Sequence, residues 1–265
     1  MSFFDRLNQQ KTAAASTVTP DTPSQPKTGS GIDLSKRAPG LINLHKSAGI
    51  SLEKNNLTGV KAAVYLVLDY SGSMSGFYRD GTVQDFTERV LAAAVHFDDD
   101  GSIPVILFDT VAHPAMDVTV DDYQGAVQRA ADAAGRMGTT DYAAAMRAVI
   151  SHCRASGATE PALVIFETDG APNHRGEAER VLCEASNLPI FWQFVGFGGN
   201  ADSRDFEFLR KLDELSVPKK RVIDNAGFFA AGYDPKSMDP SILYDSLMGE
   251  FPTWLAAARQ QGIVR

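Results

Sequence analysis

From Val60 onward, short runs of apolar residues alternate with stretches in which apolar residues recur at helical spacing, the pattern of strands and amphipathic helices taking turns. Ala62 to Leu68 is nearly all apolar and predicts a buried strand, and Thr82 to Phe97 carries Val83, Phe86, Val90, Ala94 and Phe97 along one helical face. Ile103 to Phe108 and Val111 to Val118 predict two strands joined by a tight turn, the second an antiparallel edge. Helices are predicted over Tyr123 to Ala134 and Tyr142 to Arg154, a strand over Ala162 to Phe166, and a helix over Glu177 to Ser186. A strand over Pro189 to Phe197 ends in Gly198-Gly199. Asp205 to Leu215 then reads as helix, Arg221 to Ile223 as a short last strand, and Ile242 to Gln260 as one closing helix. Such alternation predicts an α/β fold, a Rossmann-like doubly wound sheet that is mainly parallel with one antiparallel edge strand.

The chain ahead of Val60 has a different texture. Residues 1–31 form a predicted flexible tail and linker, because Thr, Ala, Ser, Pro, Gln and Gly from Lys11 to Gly31 offer too little apolar surface to offset ordering entropy. Phe3, Phe4 and Leu7 make a small apolar face within it, expected to fray rather than dock. Residues 32–59 contain three similar units, Ile32-Asp-Leu-Ser-Lys36, Ile42-Asn-Leu-His-Lys46 and Ile50-Ser-Leu-Glu-Lys54, whose alternation predicts a short extended lead-in to a domain over residues 60–265.

Composition narrows the function. The 265 residues are 44% hydrophobic and 22% charged, enough for one large domain. A net charge of −8 and a pI near 5.1 oppose nucleic acid as a partner, since such binding rests on Lys and Arg neutralising phosphates. Met1 to Lys11 has no signal-peptide apolar run, and nowhere do about 18 apolar residues run together, so the expectation is a cytoplasmic protein without a membrane span. Cys153 and Cys183 are too few for a disulfide framework or a thiolate zinc site, and the five histidines never fall at helical zinc spacing. Asp98-Asp99-Asp100 lacks the alternating ligands of a calcium loop and reads as a solvated turn. Phe191, Trp192, Phe194 and Phe197 on a central strand, with Trp254 in the last helix, read as core rather than as a binding platform.

In open α/β sheets the ligand site lies beyond the carboxyl ends of the strands. There the first strand runs into Asp69-Tyr70-Ser71-Gly72-Ser73-Met74, and a later one into Glu167-Thr168-Asp169-Gly170; a third loop reads Met137-Gly138-Thr139-Thr140-Asp141. Ser71 and Ser73 can bring their hydroxyls together if Gly72 lets the backbone bend. Hydroxyls backed by carboxylates suit Mg²⁺, a hard cation that prefers octahedral oxygen ligands. Neutral direct ligands would leave the ion much of its charge and a position for a partner's carboxylate. Phe77, Tyr78 and Arg79 follow the serine turn and either flank this site or are solvated loop residues.

This set resembles the metal-ion-dependent adhesion site of von Willebrand factor A (vWA) domains, and the likeness covers roughly Val60 to Ala257. It implies Ser71, Ser73 and Thr140 as direct ligands and Asp69 and Asp169 as a supporting or water-mediated shell, with Mg²⁺ as the ion and Mn²⁺ or Ca²⁺ as substitutes. Thr140 is preferred to Thr139 because it stands directly before the residue that opens the next turn. Val222 to Phe229 and Tyr244 to Trp254 are more narrowly similar to the bacterial tellurium-resistance and stress-response branch, itself similar to the copine type of A domain. Glu167 departs from the usual pattern, and strand alternation is expected to point its side chain away from the metal.

The resulting expectation is a non-enzymatic Mg²⁺-dependent protein-interaction module that captures a partner's acidic side chain. The alternative is a Mg²⁺-dependent phosphohydrolase using Asp69 as nucleophile. Enzymes of the haloacid dehalogenase type need a second carboxylate two residues on, and that place is Ser71; no phosphate-binding glycine loop is present either. A third reading is a structural subunit that works without the ion.

Overall fold

The computed structural model describes residues 32–217 and 219–265. Its centre is a six-stranded sheet made of β1 (Ala63–Asp69), β2 (Ser102–Phe108), β3 (Met116–Thr119), β4 (Ala162–Thr168), β5 (Ile190–Gly196) and β6 (Ala226–Ala230). The strand order is β3-β2-β1-β4-β5-β6. Every neighbouring pair is parallel except β2 with β3, the predicted antiparallel edge. The chain leaves β1 towards β2 on one side and later returns to β4 on the other. The seam between β1 and β4 is therefore the topological switch point, where carboxyl-end loops diverge and leave a crevice.

Both sheet faces are covered, which is why β1, β4 and β5 are buried along their whole length instead of alternating. On one face Val64, Leu66 and Leu68 pack with the helices α2 (Ile42–Lys54), α4 (Thr82–Phe97), α5 (Ala126–Ala134), α9 (Pro240–Met248) and α10 (Phe251–Gln260). On the other, Tyr65 and Val67 pack with α6 (Tyr142–Ser156), α7 (Arg175–Glu184) and α8 (Glu207–Asp213). Phe191, Trp192, Phe194, Phe197 and Trp254 are all core, as their strand and helix positions predicted.

Several expectations need correction. Residues 32–59 are helical rather than extended: α1 (Leu34–Arg37) and a short 3-10 turn, Pro39–Leu41, lead into α2. Leu34, Leu41, Ala48 and Leu52 are buried, and spacings of four and seven satisfy a helical stripe better than a two-residue repeat. Tertiary packing against α4 and α9 decides the matter: His45 Nδ1 lies 3.1 Å from the Ala92 carbonyl, and Asp245 accepts a 2.6 Å bond from Ser51 Oγ and an ion pair from Lys54. The last strand is Ala226–Ala230, not Arg221 to Ile223, because Arg221 turns inward to the carbonyls of Asp213 and Leu215. The closing helix is two, broken between Met248 and Phe251. A short helix, α3 (Ser75–Arg79), follows the serine turn. Asp98 and Asp100 are buried, each about 8% exposed, so the acidic run is not a solvated turn. The tail, with Phe3, Phe4 and Leu7, lies outside the described residues.

Candidate metal centre

β1 ends at Asp69, a fully buried carboxylate directly beside Thr168 at the end of β4. Both of its oxygens are engaged: Oδ1 accepts the Ser71 backbone N–H at 2.8 Å, and Oδ2 accepts the Thr168 hydroxyl at 2.6 Å. Tyr142 Oη stands 3.1 Å from Thr168 Oγ1 and also bonds the Gly170 carbonyl, so a buried chain of hydroxyls fixes the carboxylate from behind.

Beyond Asp69 the chain makes a 3-10 turn over Gly72–Met74, closed by Met74 N–H to the Ser71 carbonyl and pinned by the fully buried Met74 side chain. The turn puts Ser71 Oγ and Ser73 Oγ 3.2 Å apart, and Ser73 Oγ donates to Asp169 Oδ1 at 3.0 Å. Four of the five sequence-predicted residues thus meet through hydrogen bonds of Asp69, Ser71, Ser73 and Asp169. Gly72 is not where glycine is needed, since a Cβ there would meet nothing nearer than 4.0 Å.

The fifth residue arrives on the loop after α5. Ser71 bridges Gly138 as a one-residue parallel pair, Gly72 N–H bonds the Gly138 carbonyl at 3.1 Å, and Tyr70 Oη donates to the Gly135 carbonyl at 2.7 Å. The loop can approach this closely only because residue 138 is glycine: an added Cβ would lie 2.6 Å from Thr110 Oγ1 and 3.0 Å from Asp109. Thr139 spends its hydroxyl on Thr110 Oγ1 at 3.1 Å. The Thr140 hydroxyl makes no hydrogen bond among the described residues, while its carbonyl accepts Asn173 N–H at 3.0 Å and its successor Asp141 caps α6 through Ala144 N–H. This difference favours Thr140 over Thr139 as a ligand. Ser73 is exposed, Thr140 half-buried and Ser71 buried, so the cluster opens to solvent at Ser73 and the carboxylate Asp69 lies behind it.

Burial pushes the Asp69 carboxyl up to about 6 and raises that of Asp169 as well. Glu167 is fully buried and held well above the ordinary range by desolvation and by the charges of Asp69 and Asp169, against a smaller lowering effect of the Asp69 backbone N–H. By strand alternation its side chain shares the face of Leu163 and Ile165, opposite to Thr168 and Asp69. No Lys, Arg or His among the described residues forms an ion pair with any of the three. Asp69 and Asp169 on the site side are a buried and a half-buried carboxylate without a counter-cation among the described residues, which is costly, and a divalent ion would relieve it, so the donor set fits the implied group. Among the described residues no three His, Cys, Asp or Glu side chains converge as a cage.

Sequence reasoning missed Thr168, Tyr142 and Gly138. Thr168 sits inside the quoted Thr-Asp-Gly and was legible as a hydroxyl opposite Asp69; Tyr142 gave no signal beyond its helix. Phe77 and Tyr78 are packed rather than solvated: Phe77 meets Phe197 edge-on at 5.6 Å, and Tyr78 meets Tyr70 at 5.1 Å.

Residues 61–264 match the vWA-TerF-like family, described as the vWA found in the TerF C terminus. The chain belongs to this family. It is 38% identical over 224 residues to the uncharacterized protein YcbR of Bacillus subtilis (strain 168), an overlap covering 83% of this chain and 88% of that one. The solved structures it resembles are more distant. Manganese-loaded TRAP protein of Plasmodium vivax is 17% identical with a TM-score of 0.45, over 72% of this chain and 73% of its own. A von Willebrand factor type A protein of Catenulispora acidiphila is 14% identical with a TM-score of 0.46, over 74% and 43%. The vWA-TerF-like match begins after α1 and α2; α2 packs against α4 and α9.

Proposed function

We propose that this vWA domain is a Mg²⁺-dependent protein-interaction module whose ion is held by Ser71, Ser73 and Thr140, with Asp69 and Asp169 behind them. The observation that carries the reading is the Ser71, Ser73 and Asp169 cluster, joined at 3.2 and 3.0 Å beside a buried Asp69, with no Lys, Arg or His among the described residues paired to it. A Mg²⁺ there supplies a Lewis-acidic site that keeps most of its charge, because hydroxyls are its direct ligands. The chain's own part is to hold those hydroxyls on rigid turns, with Ser73 open to solvent. A partner's acidic side chain is the matching ligand, and Mn²⁺ or Ca²⁺ are the expected substitutes.

The module is proposed to act without catalysis. Asp69 is inaccessible and both its oxygens accept hydrogen bonds, which opposes its use as the nucleophile of a phosphohydrolase. The family suggests work within a bacterial tellurium-resistance or stress-response complex, in the cytoplasm; among the described residues no helix is long and apolar enough to cross a membrane. The test is a pull-down from bacterial lysate with and without Mg²⁺. Prey retained only with the ion, and lost in Asp69→Ala and Ser71→Ala, supports the reading; unchanged capture by both folded variants contradicts it.

A further inference from the structure

The chain carries a net charge of −8, yet one groove reverses the sign. It lies between α7 and α8, encloses about 600 Å³, and is lined by Arg175, Arg210, Lys211 and Lys220 against only Glu207 and Glu214. Its cations are incompletely neutralised. Lys211 and Lys220 share a single carboxylate, Glu179. Arg210 spends its guanidinium on the Ala201 and Ser203 carbonyls, which satisfy its hydrogens but leave its charge. Arg175 is exposed and has no ion pair among the described residues; its guanidinium stands 5.8 Å from the centre of the Phe208 ring, with Lys211 Nζ 5.9 Å from the same ring. An aromatic ring with two cations over it keeps both in place without consuming their charge.

One end of the groove, at Arg175, is joined to the metal centre by a short loop. Arg175 opens α7 six residues after Asp169, and the intervening loop is tied to the ligand loop by Asn173 N–H on the Thr140 carbonyl. On the other side Asp205, in the short turn before α8, is near enough to Asp169 for its charge to help raise that carboxyl. A chain whose carboxylate sits on the metal is repelled on the Asp205 side and, followed along the 170–174 loop, meets Arg175 as the first cation of α7; Arg binds carboxylates in a bidentate fork.

We infer that the partner is an acidic peptide segment, one carboxylate on the metal and its neighbours running along the α7–α8 groove over Arg175 and Lys211. This rests on the proposed metal function and names the class of partner for that same site. Nucleic acid also carries negative charge, but the acidic balance of the whole chain opposes it outside this one groove.

The test is fluorescence anisotropy with a labelled oligoglutamate of about ten residues, which at ~3.3 Å per residue reaches about 33 Å when extended. Wild type, Ser71→Ala, Arg175→Ala and the double variant Arg175→Glu/Lys211→Glu are compared, with Mg²⁺ titrated into each. The expected result is Mg²⁺-dependent binding that weakens about ten-fold in Arg175→Ala and further in the double variant, while both keep wild-type Mg²⁺ affinity. Peptide binding that is lost in Ser71→Ala but unchanged in both groove variants overturns the groove and leaves the metal function standing. Binding that ignores Mg²⁺ and Ser71→Ala yet falls in the groove variants supports the groove and removes the metal function. No binding by wild type, or tighter binding of an oligothymidylate of equal length, overturns the inference.

Discussion

Thr168 Oγ1 donates a 2.6 Å hydrogen bond to Asp69 Oδ2 across the seam where β4 meets β1. The bond holds the rearmost carboxylate of the cluster in one orientation, and Tyr142 Oη in turn contacts Thr168. Thr168→Val keeps the shape and removes the donor. It is expected to cost about 1–3 kcal/mol, because a buried acceptor is left unpaired. Loss of such a supporting partner is expected to weaken Mg²⁺ binding about 10–100-fold. Chemical denaturation and calorimetric Mg²⁺ titration measure the two effects separately.

Gly138 lets the Thr140 loop lie against the serine turn. Gly138→Ala would place a Cβ 2.6 Å from Thr110 Oγ1 and 3.0 Å from Asp109, forcing the loop outward. Mg²⁺ affinity is expected to fall about as far as in a direct ligand deletion, with a stability loss of about 1–3 kcal/mol. Gly76→Ala, in α3 with nothing within 4 Å of the added carbon, is the control and should bind as wild type.

The N-terminal helices α1 and α2 belong to the folded unit. Leu52 is 3% exposed in the core beneath α2, and Leu52→Ala is expected to cost about 2–5 kcal/mol. A chain starting at Leu57 loses Leu34, Leu41, Ala48 and Leu52 together and should melt many degrees lower. Equal melting temperatures for full and shortened chains would mean that α2 is an appendage.

The metal-free domain should be less stable at neutral than at mildly acidic pH. Burial, then the neighbouring Asp100 charge, pushes Asp98 up to about 7; burial, then Glu250, does the same to Asp213; burial brings Asp69 to about 6. In each case the folded state holds a proton that the unfolded chain has already released above pH ~4. Stability present at low pH is therefore lost as the pH rises through 6 to 7. Melting temperature measured from pH ~5 to ~8 should decline, and Asp98→Asn should flatten the decline. A flat profile for wild type would contradict the assignment.

Much of this architecture was legible in the sequence because fully buried parallel strands are written as unbroken apolar runs: Ala62 to Leu68 became β1, and Ala162 to Phe166 became β4 with two more residues. The segment from Ile32 to Lys54 was not, since its apolar residues satisfy both a two-residue and a helical repeat, and only docking on α4 and α9 selects the helix. The break between α9 and α10 was hidden because Tyr244, Leu247, Phe251 and Trp254 keep helical spacing across it. At the site, Asp69, Ser71, Ser73 and Asp169 stood in short loops next to strong strand patterns. Contacts between distant segments, such as Gly138 against Asp109 or Tyr142 against Thr168, have no local signature.

The most direct test of the central claim is calorimetric titration of Mg²⁺ into the metal-stripped domain, wild type beside Ser73→Ala and Asp69→Ala. One ion bound by wild type, with affinity reduced at least ~10-fold in both folded variants, is the predicted result. A well-folded wild type that takes up no Mg²⁺, or variants that bind it as wild type does, would contradict the account.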